Sequence, residues 1–127
     1  MVGIIAPMGV ESDIILSRMK LSNKKIVGTF QFFEGIFNQR PIVLVNSGVG
    51  KVNAAACAQC LIDNYRITHI LNVGIAGALK DNLNPGDIVV STECVEYDMD
   101  CTPLGYMQGI IPDMDTSIFK SAKELLD

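Results

Sequence analysis

The sequence predicts an α/β domain of stacked layers around a mixed central sheet, and three observations carry that expectation. Apolar residues make up 49% of the 127 positions and charged residues 19%, a composition too apolar for disorder and suited to strands buried on both faces. Short β-like runs alternate with stretches of helical spacing, as in sheets built from parallel strands and crossover helices. Two further β-rich runs follow one another with only Asn38-Gln39-Arg40 between them, which predicts an antiparallel hairpin. The length is that of one ordinary domain, or part of one.

Residues 2–6 form an apolar run ended by Ala6-Pro7, a buried first strand entering a turn. A helix is expected at once, because Val10, Ile14, Ile15 and Met19 recur at helical spacing with Glu11 and Asp13 in the first turn, where the helix dipole favours acidic residues. Residues 26–37 are rich in Val, Thr, Phe and Ile, and residues 41–46 form the second β-rich run. Ser47-Gly48-Val49-Gly50 then leads into a helix whose expected inner face is Val52, Ala55, Ala58, Ile62 and Tyr65. Residues 68–73 read as the next strand, followed by the glycine-spaced loop Gly74-Ile75-Ala76-Gly77-Ala78. After the turn at Asn84-Pro85-Gly86-Asp87, residues 88–91 read as a strand. A long polar segment with Asp98, Asp100, Pro103, Gly105, Gly109 and Pro112 is a candidate functional loop. Asp115 or Thr116 is expected to cap a last helix over residues 118–126. A crossover helix leads into a further strand, so the chain reads as the N-terminal part, residues 1–127, of a single domain truncated before that strand.

Composition excludes several functions. Net charge is −4, and no basic cluster exceeds Lys24-Lys25, so nucleic acid is not an expected partner. The apolar runs are too short for a membrane span, and the start lacks the pattern of a signal peptide; a cytoplasmic protein is expected. Cys57 and Cys60 have the C-x-x-C form, but Cys94 and Cys101 do not repeat it. The first pair falls in an Ala-rich helical stretch, so buried small residues rather than a metal site are expected. His69, the single histidine, falls in the run read as the next strand and is assigned a structural role rather than a metal-ligating one.

Chemistry concentrates in three glycine-containing loops that each follow a β-like run: Ala6-Pro7-Met8-Gly9, Ser47-Gly48-Val49-Gly50 and Gly74-Ile75-Ala76-Gly77. In parallel α/β sheets ligands lie outside the carboxyl ends of the strands, so these loops are expected to line one crevice. The second is not a phosphate-binding P-loop: it lacks the first glycine and has Val52 after Lys51. By position alone, Glu11 is a helix-start carboxylate and Met8 a core filler.

Five blocks in order, GIIAPMGVE, SGVGKVNAA, NVGIAGAL, PGDIVVS and DMDCTPLGY, resemble those of the 5′-methylthioadenosine/S-adenosylhomocysteine nucleosidases of the nucleoside phosphorylase superfamily, over nearly the whole chain. The resemblance implies a three-layer nucleoside-phosphorylase-like α/β fold and hydrolysis of an adenine N-glycosidic bond in methionine salvage. It also implies a homodimer when complete, with an adenine nucleoside as substrate and no cofactor or metal. Glu11 takes the place of the carboxylate that activates water, in keeping with the need for a base beside a positioned water in cleavage through an oxocarbenium-like state. Met8 matches the methionine bordering the sugar, Ala76 and Gly77 the loop facing the base, and Val49 an apolar residue near the alkylthio pocket. Cys101, Leu104, Tyr106 and Pro112 match a segment that a neighbouring subunit contributes to that pocket. The resemblance assigns to the missing portion a Met-Glu pair for the ribose hydroxyls and an aspartate that protonates adenine at N7.

Two positions depart from the pattern: Ile75 stands where some members have serine, and Leu104 where some have an aromatic residue, which leaves substrate preference open. A purine nucleoside phosphorylase would need cationic or hydroxyl partners for phosphate. The first loop offers Glu11 instead, and the later positions are Asn72 and Ile75. A futalosine hydrolase and a non-catalytic nucleoside-binding relative remain alternatives, since fold alone does not decide function.

Overall fold

Strand polarity decides the layout of the larger sheet in the computed structural model, which describes residues 1–126. The chain forms two compact units, Met1–Gly77 and Ala78–Asp127. In the first, β1 (Val2–Ala6), β2 (Lys20–Val27), β3 (Phe30–Phe37), β4 (Arg40–Asn46) and β5 (His69–Asn72) lie in the order β2-β3-β4-β1-β5. β1 pairs in parallel with both β4 and β5, whereas β2-β3 and β3-β4 are antiparallel. The sheet is therefore mixed, as the sequence predicts.

The apolar strands occupy the middle. Ile5, Phe32, Val43 and Val45 face α2 (Lys51–Asn64) and cluster with Cys57 and Leu61. Ile4, Phe33, Ile42 and Leu44 face the other way and cluster with Met19, Ile15 and Leu16 at the end of α1 (Gly9–Arg18). Because successive strand residues point to opposite faces, the near-continuous runs IIA and IVLV supply both helix layers at once. That gives the three-layer arrangement. Full burial of Phe32, Leu44 and Leu61 stabilises the unit by about 1.5–3 kcal/mol each.

Several sequence expectations change here. Residues 26–37 are not one run, since the chain turns at Gly28-Thr29 and an additional strand begins at Lys20. β2 carries Lys20, Lys24 and Lys25 and buries none of its residues. Such a polar strand suits a sheet edge, where lysines discourage further pairing, but it has no alternation by which to be found. The second hairpin turns at Asn38 and Gln39, with φ of 46° and 64°, the two positive angles of a type I′ turn. Arg40 belongs to β4, paired with Phe37.

Both helices form, each rotated from its expected face. On α1, Val10 and Ile14 are exposed, and the buried side is Ser12, Ile15, Leu16 and Met19. On α2, Val52, Ala55 and Ile62 point outward, while Cys57, Ala58, Leu61 and Tyr65 pack inward. Small residues such as Ser12 and Cys57 allow close approach to the sheet, which outweighs the larger area of the valines and isoleucines. Cys57 is fully buried in this face, and all four cysteines are free. Burial, with Cys60 alongside, pushes its thiol up to about 11.

The second unit contains β6 (Glu93–Val95) and β7 (Ile118–Lys120), an antiparallel pair with Cys94 opposite Phe119. Thr102–Leu104 and Lys123–Leu125 form 3₁₀ turns. Residues 88–91 are not a strand: no ladder pairs them, and Ile88, Val89 and Val90 are exposed. The expected helix over 118–126 is replaced by β7 and a 3₁₀ turn, because Ile118 and Phe119 are taken up in pairing with β6. Thr116 caps no α-helix; its Oγ1 instead accepts the Ile118 N–H at 3.1 Å. Among the described residues, no helix is long and apolar enough to cross a membrane.

Candidate active site

Parallel register brings the three glycine-containing loops to one edge of the first unit's sheet. Ala6 is opposite Asn46 and Ile5 opposite Asn72, so β1, β4 and β5 end together. Two further bonds extend the ladders: the Ser47 N–H donates to the Ala6 carbonyl at 3.0 Å and the Val73 N–H to that of Ile5 at 2.9 Å.

Glu11 stands at the centre of this edge, in the first turn of α1. Its Oε2 accepts the Met8 N–H at 2.8 Å, the arm of a capping box that reaches back to the residue before the helix. Its Oε1 accepts the Ile75 N–H at 3.0 Å, across 64 positions of sequence. One carboxylate thus joins the loop after β1 to the loop after β5. A carboxylate oxygen accepts more than one hydrogen bond, so these two contacts fix its orientation and leave acceptor capacity for a water. The half-buried side chain remains reachable.

A second polar group supports the first. Asn46, the last residue of β4, donates from Nδ2 to the Ser12 Oγ at 2.8 Å and lies 3.1 Å from the Met8 carbonyl and 3.4 Å from that of Ala6. Ser12 is 1% exposed and donates to the Gly9 carbonyl at 3.1 Å. Buried polar groups are costly unless paired, and here the pairing ties the start of α1 to the sheet. Sequence reasoning missed both residues. A polar residue at the carboxyl end of a parallel strand is the signal that would have found Asn46.

The other expected residues of this unit lie on the same edge. Met8 is 36% exposed beside Glu11, and Ala76 and Gly77 follow Ile75 as exposed backbone. Val49 is exposed on the loop after β4, where positive φ at Gly48 and Gly50 requires glycine; its carbonyl accepts from the Asn53 Nδ2 at 2.8 Å.

In the second unit, Leu104 and Tyr106 are exposed, and Cys101 and Pro112 are half-buried. The Cys101 carbonyl accepts N–H groups from Leu104 at 3.0 Å and Tyr106 at 3.3 Å. Asp100 accepts from both the N–H and the hydroxyl of Thr102, which holds its carboxyl below the usual range. An open groove of about 460 Å³ lies elsewhere in this unit, between Val95, Tyr97, Gln108 and Ile118. None of the four expected wall residues lines it. Among the described residues, no three His, Cys, Asp or Glu side chains converge as metal ligands.

The family model of the phosphorylase superfamily matches residues 1–127. The chain belongs to the phosphorylase superfamily. A 5′-methylthioadenosine/S-adenosylhomocysteine nucleosidase of Staphylococcus haemolyticus is 40% identical over 126 residues, which are 99% of this chain and 55% of the relative. Among solved structures, the Neisseria meningitidis nucleosidase in complex with methylthio-immucillin-A superposes with a TM-score of 0.92 at 32% identity, covering 98% of this chain and 54% of that one. The Colwellia psychrerythraea nucleosidase in complex with adenine gives the same TM-score and identity, with 51% of its chain covered. The chain spans about half the length of these superfamily members.

Proposed function

We propose that the intact protein hydrolyses the adenine N-glycosidic bond of 5′-methylthioadenosine and S-adenosylhomocysteine, and that this chain supplies the water-activating side of the site. The observation that carries the reading is the Glu11 carboxylate, held by the Met8 and Ile75 N–H groups where three parallel strands end. The names and bound ligands of the similar nucleosidases point to the same substrates.

Glu11 accepts a proton from water as its oxygen bonds to the anomeric carbon. The C–N bond breaks, its electron pair leaves with adenine, and a proton delivered to the base completes a free thiosugar and neutral adenine. A positioned base typically contributes about 10²-fold to 10⁴-fold to such a step. Met8 borders the sugar in this reading, Ala76 and Gly77 present backbone to the base, and Val49 borders the alkylthio group. The protein acts as a homodimer in which residues 101–112 reach the partner's pocket through Cys101, Leu104, Tyr106 and Pro112. Its four free thiols suit a reducing compartment, the cytoplasm.

Adenine release from methylthioadenosine, S-adenosylhomocysteine and aminofutalosine, with and without phosphate, tests the reading. Glu11→Gln is expected to bind substrate and to lose about 10²-fold to 10⁴-fold in turnover. Near-normal release by that variant overturns the role of Glu11. A sugar 1-phosphate formed in proportion to added phosphate moves the protein to the phosphorylases.

A further inference from the structure

The contact between Glu11 and the loop after β5 depends on a missing side chain. A Cβ placed on Gly74 would lie 2.9 Å from the Glu11 Oε1, 3.4 Å from its Cδ and 3.5 Å from the Pro7 Cδ. The oxygen so approached is the one that accepts the Ile75 N–H. Gly74 is absent from the glycines with positive φ, so its backbone makes no demand for glycine. The close atoms are the far end of a flexible side chain, which can move, and a ring edge at ordinary contact distance. Ile75 is 84% exposed through its side chain, which leaves the N–H as its evident contribution to this edge.

We propose that Gly74 is a positioning residue for the reaction: its lack of a Cβ admits the Glu11 carboxylate to the Ile75 N–H and so fixes the angle at which the base meets water. This rests on the reading of Glu11 as the base. A methyl group at position 74 displaces the carboxylate and breaks that bond while leaving the sheet and both helices as they are. Misplacement of a reacting group by about 1 Å can reduce turnover about 10²-fold.

The test is Gly74→Ala in the intact, active protein, alone and combined with Glu11→Gln. The single variant is expected to lose about 10-fold to 10²-fold in kcat, with KM within about twofold because substrate contacts are kept. Amide exchange at Ile75 is expected to speed up while the rest of β5 stays protected. In the Glu11→Gln background the same change is expected to have no further effect on kcat, since groups acting as one unit are non-additive. A parent-like kcat for Gly74→Ala, or a loss that adds in full to that of Glu11→Gln, overturns the proposal. If Glu11→Gln itself is near-normal, the reading of Glu11 fails and this inference with it; if only Gly74→Ala is, this inference fails alone. Should Gly74→Ala not fold, Glu11→Ala supplies the measurement, and unchanged exchange at Ile75 overturns the proposal.

Discussion

The two units handle the same kind of sequence in opposite ways. In Met1–Gly77, apolar β-rich runs such as residues 42–45 are inserted between neighbouring strands and fully buried on both faces. In Ala78–Asp127, the comparable run Ile88, Val89 and Val90 pairs with no strand and is exposed, and among the described residues of the unit Ser117 alone is buried. β propensity is largely a measure of packing against neighbours. It yields a strand only where a ladder and a covering layer exist.

Removing a side chain from the first unit's core is the severest way to break this contrast. Phe32 is fully buried, with its ring centroid 5.4 Å from that of Tyr65 and the rings tilted at 46°, so Phe32→Ala is expected to destabilise the protein by about 3–5 kcal/mol. Denaturant unfolding followed by circular dichroism measures it, and a loss below about 1 kcal/mol would mean that this core is not the main source of stability.

Alkaline titration probes the same core more gently. Burial, then the charge and hydrogen bond of Glu34, raise the Tyr65 hydroxyl from 10.0 to about 12, and burial raises the Cys57 thiol from 9.0 to about 11. Both groups bind their protons more tightly folded than unfolded. Their contribution is therefore complete below pH 9 and is lost as pH rises through about 9–12. Tyr65→Phe is expected to flatten the upper part of that decline in a series of melts, and an unchanged slope would remove Tyr65 as its cause.

The smallest effect on folding is expected at Leu104, which is 74% exposed. Leu104→Asp should change unfolding free energy by no more than about 0.5 kcal/mol, while weakening the proposed dimer and its activity. Sedimentation and turnover measured together decide this, and a fully active monomer would refute the assignment of residues 101–112.

How much of this was legible beforehand differs with the range of the interaction. The first strand, the turn at Asn38 and Gln39, the two helices and the position of Glu11 in a first helical turn follow from local patterns. Hydrophobic runs and turn-forming residues act over a few positions. The inner faces of α1 and α2 did not follow, because Ser12 and Cys57 owe their burial to close packing on the sheet rather than to size. Nor did the fates of residues 88–91 and 118–120, which hung on whether a partner strand was present.

By itself, then, the sequence determined the layered α/β class, the three glycine-containing loops and the carboxylate among them. Only the tertiary structure decided that Glu11 meets the Ile75 N–H and that Asn46 reaches Ser12. Those partners come from α1, the end of β4 and the loop after β5, and nothing in local spacing encodes the parallel register of β1 with β4 and β5 that sets them side by side.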